Sequence, residues 1–120
     1  EMGQYEEALN YFFKLDFIES NCVKAWRGIG WCSFISLKYE QAMKYYEKII
    51  EQKPLAIDYM NAGHVAWTMG DIQKAAVFYG KAITACGNRE RFLEMIHTDE
   101  EPLLKQGIRE EDIPLMLDLL

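Results

Sequence analysis

The chain has 120 residues and a net charge of −6; half of its residues are apolar, and only three are proline. This composition is typical of a globular chain with long stretches free of helix breakers, so it favours a mostly helical fold. The acidic excess lies in residues 88–120, which hold 4 Lys/Arg against 9 Asp/Glu. Such a charge disfavours nucleic acids and anionic lipid surfaces, which both attract cationic proteins.

The sequence gives no sign of a membrane segment or of an oxidising compartment. It contains no signal peptide and no apolar run long enough to span a bilayer. The cysteine count is odd (Cys22, Cys32 and Cys86), and no two of them form a C-x-x-C pair. We therefore expect three buried thiols, no disulfide framework, no zinc site and a cytoplasmic location.

The spacing of apolar residues predicts five helices, joined by short loops, between the start of the chain and Ala85. In chain order they cover Tyr5–Glu19, Cys22–Ser36, Tyr39–Gln52, Leu55–Met69 and Ile72–Ala85. Gly70 should end the fourth helix and Asp71 should cap the fifth. Short loops make successive helices antiparallel neighbours. Met2 and Gly3 resemble the end of an earlier helix, so we expect at least one helix before Glu1.

Beyond the fifth helix the apolar spacing becomes less regular. Arg89–His97 predicts a sixth helix, and Asp99–Pro102 predicts the start of a seventh, which Gly107 would end. Glu110–Leu120 predicts an amphipathic eighth helix. Its apolar side needs a surface to cover, which favours a terminal cap on the preceding helices. Docking into a groove or onto a second chain is the alternative.

One pattern of residues recurs at a regular interval in the first five helices. Its members are alanines at Ala8, Ala42 and Ala75, aromatic residues four positions later at Phe12, Tyr46 and Tyr79, and two pairs in the same register, Trp26 with Tyr59 and Gly30 with Gly63. A glycine inside a helix costs about 1 kcal/mol relative to alanine. At Gly30 and Gly63 we therefore expect the close approach of another backbone.

This repeat resembles the tetratricopeptide repeat (TPR) family, whose unit has about 34 residues and a W-x2-L-G-x2-Y, A-x3-F, P pattern. The second repeat supplies Trp26, Ile29, Gly30, Ala42, Tyr46 and Pro54 in that order. The resemblance implies an all-α fold, an α-solenoid of antiparallel helix pairs in a right-handed superhelix with a degenerate C-terminal capping segment. It assigns TPR repeats to residues 1–87 (a partial repeat at about 2–22, a second at about 23–55 and a third at about 56–87) and a degenerate helical cap to residues 88–120.

The resemblance further implies a concave groove, lined by the first helix of each repeat, in which a partner lies. The groove positions of the second repeat are Lys24, Arg27, Trp31, Phe34 and Ile35, and those of the third are Ile57, Met60, Asn61, His64 and Trp67. Spacings of three and four residues place each set on one helical face. Trp31 and Trp67 have an alternative, which is packing on adjacent helices or under the C-terminal segment. Asn61 also matches the middle asparagine of a clamp that holds a peptide carboxylate in some TPR proteins, with basic positions near Arg89 or Arg91.

No pattern of catalytic or metal-binding residues is present in the sequence. His64 and His97 are the only histidines, and their spacing does not match a metal-binding motif. Gly28-Ile29-Gly30 follows no strand, so it is not a phosphate-binding loop. We expect no enzyme activity, no metal and no cofactor.

The TPR resemblance implies a protein–protein interaction scaffold that binds a peptide or partner protein in its groove. The alternatives are a secretion-type chaperone built of such repeats, a regulatory or targeting domain of a larger protein, and a homodimer formed through the terminal helices.

Overall fold

The computed structural model describes residues 2–120, and every regular element among them is an α-helix, which confirms the predicted all-α class. In chain order they are α1 (Met2–Ile18), α2 (Val23–Ile35), α3 (Tyr39–Ile50), α4 (Ala56–Thr68), α5 (Ile72–Cys86), α6 (Arg89–Thr98), α7 (Glu100–Lys105) and α8 (Asp112–Asp118). They form two compact units, Glu1–Pro54 and Leu55–Leu120. The first unit contains α1 to α3, and the second contains α4 to α8.

In the first unit, α2 packs against both α1 and α3. The indole Nε1–H of Trp26 donates a hydrogen bond to Asp16 of α1 at 2.8 Å. Further along α2, Gly28 faces the ring of Phe12, which lies one turn earlier in α1. The residue numbers rise along one helix as they fall along the other, so α1 and α2 run antiparallel. The prediction of antiparallel neighbours is confirmed for this pair.

The repeated glycines allow an aromatic ring to pack against the helix. A Cβ atom on Gly30 would lie 2.9 Å from the ring of Tyr46, and one on Gly63 would lie 2.6 Å from the ring of Tyr79. Both tyrosines are almost completely buried, and burying a ring of this size contributes on the order of 3 kcal/mol. The expectation of a close backbone was therefore wrong, because a side chain fills the space that each glycine leaves.

In the second unit, α4 and α5 form the repeat's helix pair, and specific residues cap their ends. Gly70 has the left-handed φ of 87° between the two helices. The Asp71 side chain then accepts a hydrogen bond from the backbone N–H of Lys74 at 3.1 Å. This confirms the predicted stop-and-start pair. Gly87 and Asn88 repeat the arrangement between α5 and α6.

The C-terminal helices belong to the same compact unit as α4 and α5. The predicted sixth and seventh helices are present, and Gly107, with a φ of 101°, follows the end of α7. The predicted eighth helix is shorter at both ends than expected. Its inward residues Ile113 and Met116 are buried, as is Leu103 of α7, so this segment contributes its own apolar side chains to the core.

Two expectations about local features were wrong. Helix α1 begins at Met2, so Met2 and Gly3 do not end an earlier helix. A single glycine costs a helix only about 1 kcal/mol, which the rest of α1 tolerates. Of the three cysteines only Cys32 is buried, and burial raises the pKa of its thiol. Cys22 and Cys86 are half-buried free thiols, because they lie at a helix end rather than in its middle.

Candidate functional site

In the first unit, the outward face of α2 combines basic and aromatic side chains. Lys24 is exposed, while Arg27 and Trp31 are half-buried. These three residues lie on successive turns of one helical face. The ring of Trp31 lies 5.6 Å from the ring of Phe34, measured between ring centres. We call Lys24, Arg27 and Trp31 the α2 face.

Phe34 has a different position from the one that the sequence suggested. It is almost completely buried, and its ring also contacts Tyr39 at the start of α3. A buried ring is not accessible to a partner, so the role of Phe34 is to pack against Trp31. Ile35, the next residue, is half-buried.

In the second unit, most of the corresponding groove positions on α4 lie inside the protein. Met60, His64 and Trp67 are buried, Asn61 is half-buried, and Ile57 is exposed. Met60, His64 and Trp67 are therefore closed to a partner in this structure, and the groove role of the five positions stays a prediction. Asn61 and Ile57 remain accessible on this helix.

His64 is fully buried and makes a hydrogen bond through each of its ring nitrogens. Nε2 lies 2.9 Å from a carboxylate oxygen of Asp99, and Nδ1 lies 2.6 Å from the hydroxyl of Tyr79. An ionised carboxylate only accepts hydrogen bonds, so Nε2 donates to Asp99; in the neutral tautomer that carries its proton on Nε2, Nδ1 accepts the Tyr79 proton. The network ties α4 to α5 and to the junction between α6 and α7.

The environment of this network keeps the Tyr79 phenol protonated. Burial, and secondarily the nearby Asp99 carboxylate, raise the pKa of the Tyr79 phenol well above its usual value of 10.0. A phenol with a raised pKa stays neutral and is a poor nucleophile. Both nitrogens of His64 make hydrogen bonds, so the imidazole links Tyr79 to Asp99.

Trp67 lies beside the C-terminal helix. Its ring packs edge-on against Tyr79, with ring centres 6.2 Å apart, and only 5% of its surface is exposed. It also lines a cavity together with Leu115, Met116 and Leu119 of α8. Of the two roles that the sequence left open for Trp67, the structure supports packing under the C-terminal segment.

Of the clamp positions that the resemblance suggested, Arg89 has a hydrogen-bond partner within the second unit. The guanidinium of Arg89 donates a hydrogen bond to the backbone oxygen of Leu117 at 3.2 Å. It therefore binds the C-terminal end of α8. Arg91 is exposed at the start of α6. Asn61 is a polar, half-buried position on α4.

The described residues contain neither a metal-binding cluster nor a membrane-spanning helix. Over residues 2–120, no three His, Cys, Asp or Glu side chains are grouped in a way that could hold a metal ion. His97 and Glu100 form an exposed pair at 2.7 Å, at the junction between α6 and α7. No helix within this range has both the length and the apolar character needed to cross a bilayer.

Two features of the site could not be recognised in the sequence. His64 and Asp99 are 35 residues apart, and no motif links them. The contact between Phe12 and Gly28 falls outside the repeat register, because it joins the first helix to the following repeat. Only Gly28, a second glycine within a helix, was a signal that something packs there.

Comparison with known proteins identifies the repeats. The model of the tetratricopeptide repeat matches residues 24–54 and 59–89, which together make up just over half of the chain. A search of curated proteins found no match. The two matches coincide with the α2–α3 and α4–α5 helix pairs, whose glycines and tyrosines pack alike. The chain therefore belongs to the tetratricopeptide repeat family, whose repeats generally mediate protein–protein interactions.

Proposed function

We propose that this protein is a non-enzymatic interaction module and that the α2 face of the second repeat binds its partner. The observation that carries the proposal is the contrast between two first helices. On α2, Lys24, Arg27 and Trp31 reach the surface, whereas two of their three counterparts on α4, Met60 and His64, are buried. Among the predicted groove positions on α4, Asn61 is polar and partly accessible.

The chemistry of the α2 face indicates the kind of partner. Tryptophan and arginine are the residues that most often dominate binding energy at interfaces. Lysine and arginine one turn apart attract carboxylates, and this attraction weakens as salt screens it. A segment that carries Asp or Glu next to an apolar side chain would match both properties. The apolar side chain would pack on Trp31, and the carboxylates would pair with Lys24 and Arg27.

The test is affinity purification with the tagged protein, in parallel with Trp31→Ala and Lys24→Glu, followed by titration of the partner identified. Each variant should weaken binding by about tenfold or more, because each removes an interface anchor or reverses a charge. Lys81→Glu, an exposed change on α5, is the matched control and should bind like the unmodified protein. Equal recovery of the same partner by Trp31→Ala and the unmodified protein would contradict the proposal.

A further inference from the structure

The outer surface of α8 exposes apolar side chains beside an open groove. Leu115 and Leu119 are each 62% exposed, and their spacing of four residues places them on one side of the helix. Trp67 and Met116, both buried, contribute to the groove, and Ile72 of α5 lines it as well. The groove has a volume of about 530 Å³. We call it the α8 groove.

The charged residues of the α8 groove are all acidic. Seven residues line it, and the charged ones are Asp112 and Asp118, the first and last residues of α8. Their positions along the helix are separated by about 9 Å of its axis. The groove is therefore an apolar strip with a carboxylate near each end, in the most acidic third of the chain.

We infer that the α8 groove binds an amphipathic helix from a partner protein, with an apolar stripe flanked by lysine or arginine. Helix-in-groove recognition uses apolar anchors at positions i, i+3 or i+4, and i+7. Two turns of such a helix match the distance between Asp112 and Asp118, so basic residues at both ends of the stripe would face the two carboxylates. The inference does not depend on the proposed function, because it concerns a different helix and a partner segment of opposite charge.

The acidic charges of α1 and α8 argue against either helix of a second copy as the occupant. Helix α1 exposes Phe17, at 91%, and Ile18, and is the obvious apolar candidate within the chain. It carries Glu6, Glu7 and Asp16 against a single lysine. An acidic helix would be repelled by the carboxylates of the α8 groove, as would a second α8.

The binding test uses three synthetic peptides of about 18 residues, long enough to form a helix. The first has leucines at helical spacing along one face and lysines elsewhere. The second replaces the lysines with glutamates, and the third has the composition of the first with its leucines spread around the helix. By calorimetry the first peptide should bind the full chain about tenfold or more tightly than either of the others. Equal binding of all three, or no binding of the first, would overturn the inference.

Variants of the protein localise the binding. Leu115→Gln combined with Leu119→Gln changes exposed side chains, so the melting temperature should change little and the affinity should fall about tenfold. Val77→Gln, an exposed apolar position on α5 outside the groove, is its control. An unchanged affinity of the double leucine variant, or a loss equal to that of Val77→Gln, would contradict the inference.

Charge variants and light scattering complete the design. Asp112→Asn with Asp118→Asn should weaken the first peptide several-fold and reduce its salt dependence. Glu6→Gln with Glu7→Gln, two exposed acids on α1, removes the same charge elsewhere and should have no such effect. If both pairs weakened binding equally, the net charge of the protein would explain the effect, and the inferred site at α8 would be contradicted. Light scattering tests for self-association. If the protein self-associates and the double leucine variant does not, the occupant of the α8 groove is a second copy of the chain, which would overturn the inference of a partner helix.

Discussion

The second and third repeats have the same packing but use the same face differently. In the register that aligns Gly30 with Gly63, Arg27 corresponds to Met60, and Trp31 corresponds to His64. In the second repeat these side chains are half-buried, whereas in the third they are buried. The glycine-on-tyrosine contact is present in both repeats. The repeat pattern therefore specifies how two helices pack, while the residues on the first helix decide whether its face is open or covered.

The largest expected effect is the difference in stability between alanine variants of Trp67 and Trp31. Trp67→Ala should lower the free energy of unfolding by about 3–5 kcal/mol, because it empties a buried site beside Tyr79 and α8. Trp31→Ala, at a half-buried position, should cost about 1 kcal/mol and act mainly on partner binding. Urea unfolding curves of both variants measure the difference. Similar losses for the two would contradict the difference in burial between Trp31 and Trp67.

The next effect tests the packing that both repeats share. Gly63→Ala places a Cβ atom 2.6 Å from the buried Tyr79 ring and should destabilise the protein by about 1–3 kcal/mol through overpacking. Gly80→Ala is the matched control, since Gly80 lies inside α5 with no atom within 4 Å of its added Cβ. Gly80→Ala should raise the free energy of unfolding by about 0.5–1 kcal/mol, because alanine lowers the conformational entropy of the unfolded chain. Thermal unfolding of the two variants should show shifts of opposite sign.

The buried network predicts a stability loss at alkaline pH. The pKa of Tyr79 is raised in the folded protein and returns to its ordinary value of 10.0 on unfolding. Above that pH the folded state binds more protons than the unfolded state, so stability is full below pH 10.0 and falls as the pH rises further. Tyr79→Phe should remove this contribution to the alkaline decline.

The same substitution has a cost at neutral pH. It leaves Nδ1 of buried His64 without its donor, which should cost about 1–3 kcal/mol at pH 7. Tyr11→Phe changes an exposed phenol and serves as the control. Denaturant titrations at pH 7 and at about pH 11 provide both measurements. An identical alkaline decline in Tyr79→Phe and the unmodified protein would rule out this role for Tyr79.

The smallest effect concerns the turn inside each repeat. Leu37 has a φ of 67° and corresponds to Gly70, which has a φ of 87°. The left-handed region costs a leucine about 1–2 kcal/mol, and Leu37 is exposed. Leu37→Gly should therefore stabilise the protein by about 1 kcal/mol, and Gly70→Leu should destabilise it by a similar amount. Melting temperatures that move in the same direction for both would contradict the equivalence of the two turns.

The sequence predicted what depends on neighbours along the chain. Helix positions follow from apolar spacing, and the stop at Gly70 and the cap at Asp71 follow from local backbone chemistry. The repeat register also identified Gly30 and Gly63 as special positions. It could not identify the contacting group, because an aromatic ring and a backbone both require a missing Cβ.

The burial of the α4 face could not be predicted in the same way. It depends on the C-terminal segment meeting α4, through Asp99 at His64 and through α8 at Trp67. Both contacts join positions that are distant along the chain, and neither follows from the repeat pattern. Helical spacing gave Met60, His64 and Trp67 one face, but it contained no information about whether another segment covers that face.

The most direct test is solvent access at the three indole N–H groups, measured by NMR with a dissolved paramagnetic agent. Trp26 is buried, and its indole donates to Asp16, so it serves as the internal reference. We expect strong broadening of the Trp31 signal, while the Trp67 signal should broaden as little as that of Trp26. Equal broadening of Trp31 and Trp67 would contradict the claim that one face is open and the other is covered.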